Sequence, residues 1–136
     1  MELEFYPSTD IAYSNLAYGL LGFVIEAVSG QSYDEFMTEQ VLRPLGLYNT
    51  FTNSQQVRAT GRVAEGYMRG FLQVRPSTAG MERNPVNAPE GGIYSGVSDL
   101  ARWAGIQLGI VDVPPQFARV VQRSRTLTYD LGFVKE

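Results

Sequence analysis

The first third of the chain is dominated by apolar residues at helical spacing. Between positions 15 and 29 they recur three and four residues apart, as on one face of an α-helix: Leu16, Leu20, Phe23, Val24, Ala27 and Val28. Gly30 is well placed as a C-cap, so the pattern predicts a helix over 15–29. Gly19 and Gly22 weaken it, by about 1 kcal/mol each relative to alanine. They indicate close packing against another backbone, or they are neutral.

Three further helices are predicted by their start and stop signals. Ser32 and Glu35 form a capping-box pattern that starts a second helix, and Pro44 ends it. Ser95 or Ser98 caps a third helix, in which the apolar positions extend to Leu108. A short fourth helix begins at Pro114 and Pro115, with Phe117, Val120 and Val121 facing inward.

Two stretches depart from the helical pattern. Residues 50–92 are rich in glycine and proline and predict an irregular segment, with one helical turn over Gln55–Arg58. Apolar and polar residues alternate over 127–134, which predicts a terminal strand that needs a partner from elsewhere. The predicted fold class is therefore mainly α, with an irregular middle segment and a terminal β-strand.

Length and charge limit the classes of protein. The 136 residues, 44% of them hydrophobic, fit one domain over 1–136 with a real core. The net charge is −3 without a basic cluster, which disfavours nucleic-acid binding. No apolar run is long enough for a membrane span, and the N-terminus lacks the basic start and apolar middle of a signal peptide.

The missing residue types exclude several chemistries within this chain. It contains no histidine and no cysteine, so a Ser-His-Asp triad, thiol catalysis and the common zinc sites are excluded. We expect neither a metal nor a cofactor. The single lysine, Lys135, is preceded three residues earlier by Gly132, so a Ser-x-x-Lys motif is absent.

Local pattern leaves the role of several residues open. Tyr13-Ser14-Asn15 is either a buried aromatic beside an N-cap, supplied by Ser14 or Asn15, or part of a catalytic constellation. Tyr94 and Trp103 favour core positions over ligand platforms. Asp99, in the first turn of its helix, favours an interaction with the helix dipole over acid catalysis. Gly91-Gly92 marks either an ordinary turn or a tight backbone path beside a substrate.

Several motifs in order resemble the serine beta-lactamase-like family, which includes class C beta-lactamases, D-alanyl-D-alanine carboxypeptidases and esterases. The resemblance is collinear over nearly the whole chain. It rests on Pro7-Ser8-Thr9, Tyr13-Ser14-Asn15, Ser29-Gly30, Pro44-Leu45-Gly46-Leu47, Gly66-Tyr67, the stretch APEGGIYSGVSDLARW at 88–103 and the terminal TYDLGF. Pro-Ser-Thr stands where the family usually has Pro-Gly-Thr.

The resemblance implies a fold and a site. The chain would be the helical subdomain of the beta-lactamase/transpeptidase-like fold, with 127–134 as the start of the sheet subdomain. Tyr13 would be a base or proton relay in the complete enzyme. Asn15 would bind the substrate or the lysine, and Gly91 and Gly92 would bind the substrate. The chemistry would be acyl transfer through a serine ester, followed by hydrolysis of a beta-lactam, a D-Ala-D-Ala peptide or an ester.

The family's other two catalytic motifs, Ser-x-x-Lys and Lys-Thr-Gly or His-x-Gly, are absent from this chain. We therefore expect a hydrolase fragment that is inactive in isolation and has no nucleophile of its own. The alternative is a non-catalytic helical binding or assembly module derived from that scaffold. Either way, apolar surface left uncovered predicts a homo-oligomer. Family members are often periplasmic or secreted, and the sequence leaves the localisation open.

Overall fold

Helices dominate the architecture of the chain. The computed structural model describes residues 5–6, 9, 12–69, 74–77 and 87–130. The helices are α1 (Asn15–Ser29), α2 (Tyr33–Phe36) continuing as the π-helix Met37–Leu42, α3 (Ser54–Ala59), α4 (Asn87–Gly91), α5 (Val97–Leu108) and α6 (Pro115–Asp130). The strands are β1 (Thr50–Phe51), β2 (Gly66–Arg69), β3 (Val74–Ser77) and β4 (Tyr94–Ser95). The predicted mainly α fold class is confirmed.

Helix α1 has the predicted bounds because both of its ends are capped. The Ser14 hydroxyl accepts a hydrogen bond from the backbone N–H of Ala17 at 3.1 Å, which satisfies one of the unpaired donors of the first turn. At the other end Gly30 adopts φ 71°, and its N–H donates to the Glu26 carbonyl at 2.9 Å.

The second helix starts as predicted and then widens. The Ser32 hydroxyl accepts from the Glu35 N–H at 3.3 Å, while the Ser32 N–H donates to the Glu35 carboxylate at 3.1 Å. After one turn the chain enters the π-helix, where the Arg43 N–H donates to the Thr38 carbonyl five residues back. Helical structure ends before Pro44, as predicted.

The hydrophobic core lies where the π-helix and the turn after it meet α5 and α6. Its buried members are Leu42, Leu45, Leu47, Ile106 and Val121, with Val41, Val111, Val113 and Phe117 packed around them. Gly46 lets the turn cross α5, since its φ is 72° and a β-carbon there would crowd the Arg102 guanidinium. That guanidinium donates to the Leu45 carbonyl at 2.6 Å, which fixes the turn to α5.

Helix α4 packs across α1 at a glycine. Gly22 is buried, and a β-carbon at this position would overlap Cγ of Pro89. Close packing is therefore found at Gly22, where α1 contacts α4, but the neighbour is the Pro89 ring and not a backbone as predicted.

The remaining surface of α1 is apolar and largely uncovered in the described part of the chain. Large hydrophobic side chains on several of its sides are 45 to 83% exposed: Leu16, Tyr18, Leu20, Leu21, Phe23, Val24 and Val28. A helix that is apolar all round is normally buried. We call these seven exposed side chains together the α1 face. In the described part of the chain they are the largest departure from an ordinary soluble surface.

Two short antiparallel pairs organise the middle segment, which the sequence predicts as irregular. β1 pairs with β4, with Thr50 opposite Ser95, and β2 pairs with β3. The Asp99 carboxylate reinforces the first pair, because it accepts from the Asn49 N–H at 2.7 Å and from the Thr50 hydroxyl at 2.8 Å. The helical turn predicted over Gln55–Arg58 is confirmed within α3.

The predicted strand over 127–134 is wrong in its first half. Residues 127–130 continue α6, and 131–134 lie outside the described residues. A helix satisfies its own backbone hydrogen bonds, whereas a strand needs a neighbouring edge. No described strand pairs with 127–130, so the segment continues α6. The fourth helix, which the sequence predicts to be short, is therefore longer than predicted: α6 extends from Pro115 to Asp130.

Two predictions around α5 are also wrong. The N-cap is Gly96, without a side-chain hydrogen bond, rather than Ser95 or Ser98. Ser95 belongs to β4, where its hydroxyl lies 2.9 Å from that of Thr50, and Ser98 lies inside the helix. Trp103 is 41% exposed and is not a core residue.

Candidate functional site

The Tyr13-Ser14-Asn15 motif lies at the first turn of α1. Ser14 provides the N-cap, so its hydroxyl is committed to the Ala17 N–H and the predicted cap is confirmed. Asn15 is the first helical residue and is exposed. Tyr13 and Asn15 are thus exposed on either side of a serine whose hydroxyl caps the helix.

Tyr13 is 86% exposed, so the buried-aromatic interpretation is wrong for the described structure. An exposed phenol beside an exposed amide can contact a substrate or another protein segment. An ordinary tyrosine has a pKa of about 10 and accepts a proton at neutral pH only when a nearby cation stabilises the phenolate. The described residues include no lysine, so a lysine in this role would have to come from elsewhere.

Gly91 and Gly92 lie at the end of α4, beside an open groove. The groove has a volume of about 990 Å³. It is lined by Asn49, Phe51, Val57, Thr60, Arg62, Val63, Ala64, Gly66, Gly91, Gly92, Ile93, Tyr94, Ser95, Gly96, Val97 and Ser98. A β-carbon at Gly91 would meet no atom within 4 Å, so the glycine leaves room on this side.

The four predicted site residues do not share one cavity. Tyr13 and Asn15 are not among the residues that line the groove of Gly91 and Gly92. Helix α4, which ends at Gly91, packs on α1 at Gly22, seven residues after Asn15 and about 10 Å further along the helix.

Sequence reasoning missed Phe51 and Arg62 as site residues. Phe51 reaches the groove because β1 pairs with β4, across more than forty positions of sequence, and short-range periodicity carries no signal for such a pairing. Arg62 is one of several scattered arginines, and only the fold brings it beside Gly91.

The clearest pKa shifts lie away from these residues, at the start of α2. Burial raises the pKa of the Tyr33 phenol, and the neighbouring Asp34 carboxylate raises it further. Hydrogen bonds from the Ser32 side chain and backbone lower the pKa of Glu35. Both shifts follow from the local fold around the capping box rather than from a catalytic cluster.

The described residues offer neither a cluster of metal ligands nor a membrane-spanning helix. They contain no group of three or more acidic residues that could hold a metal ion. None of their helices is both long and apolar enough to cross a bilayer.

Comparison with known proteins gives consistent matches. A family model described as Beta-lactamase matches residues 1–132. A protein of Escherichia coli K12, provisionally named a D-alanyl-D-alanine carboxypeptidase, is 38% identical over 86 residues, which are 56% of this chain and 20% of that protein.

Solved structures show the same fold. The D-alanine carboxypeptidase AmpC from Burkholderia cenocepacia superposes with a TM-score of 0.75 at 24% identity, over 90% of this chain and 34% of that one. The octameric penicillin-binding protein homologue from Pyrococcus abyssi gives a TM-score of 0.64 at 30% identity, over 78% of this chain and 23% of that one. The chain thus spans about a fifth to a third of the length of these proteins.

Proposed function

Because the chain belongs to the beta-lactamase family, we propose that it is the helical part of an acyl-serine hydrolase and carries the Tyr-x-Asn element of the active site. The exposure of Tyr13 carries this proposal, because 86% of the side chain is accessible at the start of a well-capped helix. An aromatic residue kept for core packing would be buried.

In the complete enzyme the Tyr13 phenolate would take the proton of the nucleophilic serine as that oxygen attacks the acyl carbonyl. The tetrahedral intermediate would then collapse to a serine ester as the bond to the leaving nitrogen or oxygen breaks, and that atom would take the proton from Tyr13. Water would then hydrolyse the ester, releasing the acid and restoring the serine hydroxyl. Asn15 would orient the substrate or the lysine through its amide. The serine and the lysine would come from outside the sequence described here.

The substrate class proposed is a beta-lactam, a D-Ala-D-Ala peptide or an ester. Support comes from the names of similar proteins, which include a D-alanine carboxypeptidase and a penicillin-binding protein homologue. The chain covers only part of these similar structures, and we therefore also propose that it is one partial domain of a larger fold. Gly91 and Gly92 would bind the substrate from the α4 side.

The isolated chain would be inactive, since it contains neither Ser-x-x-Lys nor a histidine. The test is incubation of the chain with a chromogenic cephalosporin, a short-chain ester and a D-Ala-D-Ala peptide. No turnover is expected. Turnover that disappears in Tyr13→Phe but persists in Tyr18→Phe would refute the proposed inactivity, because Tyr18 is an exposed tyrosine of the same helix outside the motif.

A second experiment tests the hydrolase assignment itself. Reading frames on both sides of the gene are examined for Ser-x-x-Lys and Lys-Thr-Gly, and any such segment is co-expressed with this chain. We expect turnover that falls at least about a hundredfold in Tyr13→Phe, as for loss of a proton-transfer group. A protein without either motif nearby, and without turnover, would favour the non-catalytic module.

We also propose that the chain self-associates through the α1 face. Its exposed apolar side chains support this, because apolar patches larger than a few hundred Å² usually find a partner. The similarity to an octameric homologue is consistent with assembly. Self-association is also what the alternative assembly module would require.

A further inference from the structure

The groove beside Gly91 has the size and lining of a small-molecule site. Its volume of about 990 Å³ lies at the upper end of the range for ligand pockets, roughly 300 to 1,000 Å³. Its lining residues come from three stretches of the chain: 49–51 at β1, 57–66 from α3 to the start of β2, and 91–98 from the end of α4 to the start of α5. Neither Tyr13 nor Asn15 lines it.

Most of the residues that line the groove have apolar side chains or are glycines, which offer only backbone. Aromatic rings are supplied by Phe51 and Tyr94, and branched aliphatic side chains by Val57, Val63 and Ile93. Ile93 is 50% exposed although it lies against the groove, so a ligand would remove apolar surface from water there.

Among the described residues that line the groove, Arg62 is the only charged one. Within the described ranges its guanidinium makes no hydrogen bond or ion pair, while its backbone N–H donates to the Thr60 hydroxyl at 3.2 Å. The backbone bond fixes the position of the residue and leaves the guanidinium available. A guanidinium in this situation matches a carboxylate, which it can bind through two parallel hydrogen bonds.

Two of the lining hydroxyls already have hydrogen-bond partners. The Thr60 hydroxyl donates to the Val57 carbonyl at 2.6 Å. The Ser95 hydroxyl lies 2.9 Å from that of Thr50. Arg62 carries the only positive charge among the described lining residues, so we assign the recognition of an anion to it.

We propose that this groove binds a small monocarboxylate with an aromatic or branched aliphatic body. The carboxylate pairs with Arg62 and the body lies against the rings and aliphatic side chains. Binding requires no acyl-serine chemistry, so it is independent of the nucleophile and lysine that the proposed hydrolase needs. Binding without turnover leaves this proposal standing, and turnover without binding leaves the hydrolase standing.

The test is an NMR titration of the ¹⁵N-labelled chain with phenylpropanoate, in parallel with its uncharged primary amide. Phenylpropanoate is expected to shift the backbone amides of 60–66 and 91–98. Arg62→Gln is expected to weaken its binding about tenfold, the effect of losing a charge-assisted hydrogen bond. The amide should bind weakly to both proteins, with no difference between them.

Matched variants make the outcome decisive. Arg119→Gln removes the same charge from an exposed position on α6 and should leave binding unchanged. Gly91→Leu places a side chain where no atom lies within 4 Å and should abolish binding with an unchanged far-UV circular dichroism spectrum. Equal weakening by Arg62→Gln and Arg119→Gln, shifts confined to α1, or no binding of phenylpropanoate would each overturn the proposal.

Discussion

Two neighbouring residues at the first turn of α1 have separable roles. The Ser14 hydroxyl caps the helix, whereas the Tyr13 side chain is 86% exposed. The same three-residue motif therefore combines a structural group with a group available for chemistry. Stability and function can be tested independently at these adjacent positions.

Substitution of these neighbours should have unequal effects on stability. Ser14→Ala is expected to lower the free energy of unfolding by about 1 kcal/mol through loss of the cap. Tyr13→Phe should change it by less than about 0.5 kcal/mol, as at other exposed positions. Urea denaturation followed by circular dichroism measures both. A larger loss for Tyr13→Phe than for Ser14→Ala would assign the tyrosine to packing.

Asp99 has a larger structural role than an interaction with the helix dipole. It is 5% exposed and accepts from the Asn49 N–H and the Thr50 hydroxyl. Asp99→Ala leaves both donors without this acceptor and should cost about 2 to 3 kcal/mol, while Thr50→Val should cost about 1 kcal/mol. Equilibrium urea unfolding gives the values. The exposed Asp112→Ala is the control, and an equally large loss there would refute a specific role for Asp99.

At the scale of elements, the contact of α1 with α4 depends on the absence of one methyl group. Gly22→Ala would push a β-carbon into the Pro89 ring. Overpacking of this kind is expected to lower the free energy of unfolding by about 1 to 3 kcal/mol, although alanine favours the helix itself.

A double-mutant cycle distinguishes this clash from an effect on the helix. Pro89→Ala should recover most of the loss in the Gly22→Ala background, because it removes the opposing ring. Thermal unfolding of the four proteins provides the coupling energy. Additive effects would show that the two positions do not compete for space.

The capping box of α2 gives the chain a predictable response to acid. The pKa of Glu35 is lowered from its ordinary value of 4.5 by its hydrogen bonds with Ser32. Its contribution to stability is therefore present above about that pH and is lost as the pH falls through the folded-state pKa. The wild type should be more stable than Glu35→Gln at pH 7, with the difference vanishing in strong acid. Urea midpoints across this range test it, and a constant difference would contradict it.

The elements that the sequence predicts correctly are those with local signals. Helix α1 is bounded by Ser14 and Gly30, and the second helix by the Ser32 box and Pro44, all within a few residues of the structure they specify. The pairing of β1 with β4, and with it the groove, depends on residues far apart in sequence. At 127–130, alternation predicted a strand, but a helix needs no partner and a strand does.

For the molecule as a whole, the proposed self-association depends on the α1 face. Leu20 and Val24, one turn apart, are 53% and 55% exposed. Leu20→Gln with Val24→Gln should shift the chain toward the monomer, as measured by light scattering at high micromolar concentration. Val120→Gln, at a 64% exposed position of α6, is the control. A monomeric wild type at that concentration would refute self-association through this face.

The pairing of β1 with β4, with the Asp99 carboxylate across it, also bears on how relatives of this chain can diverge. It holds the two ends of the segment 52–93 side by side, so the chain between them forms a closed loop. Doubling the length of such a loop costs only about 0.6 kcal/mol in closure entropy. Insertions and deletions between α3 and α4 can therefore accumulate without disturbing the core. The groove residues 57–66 and 91–93 lie on this loop, so the ligand preference that we propose can change while the fold does not.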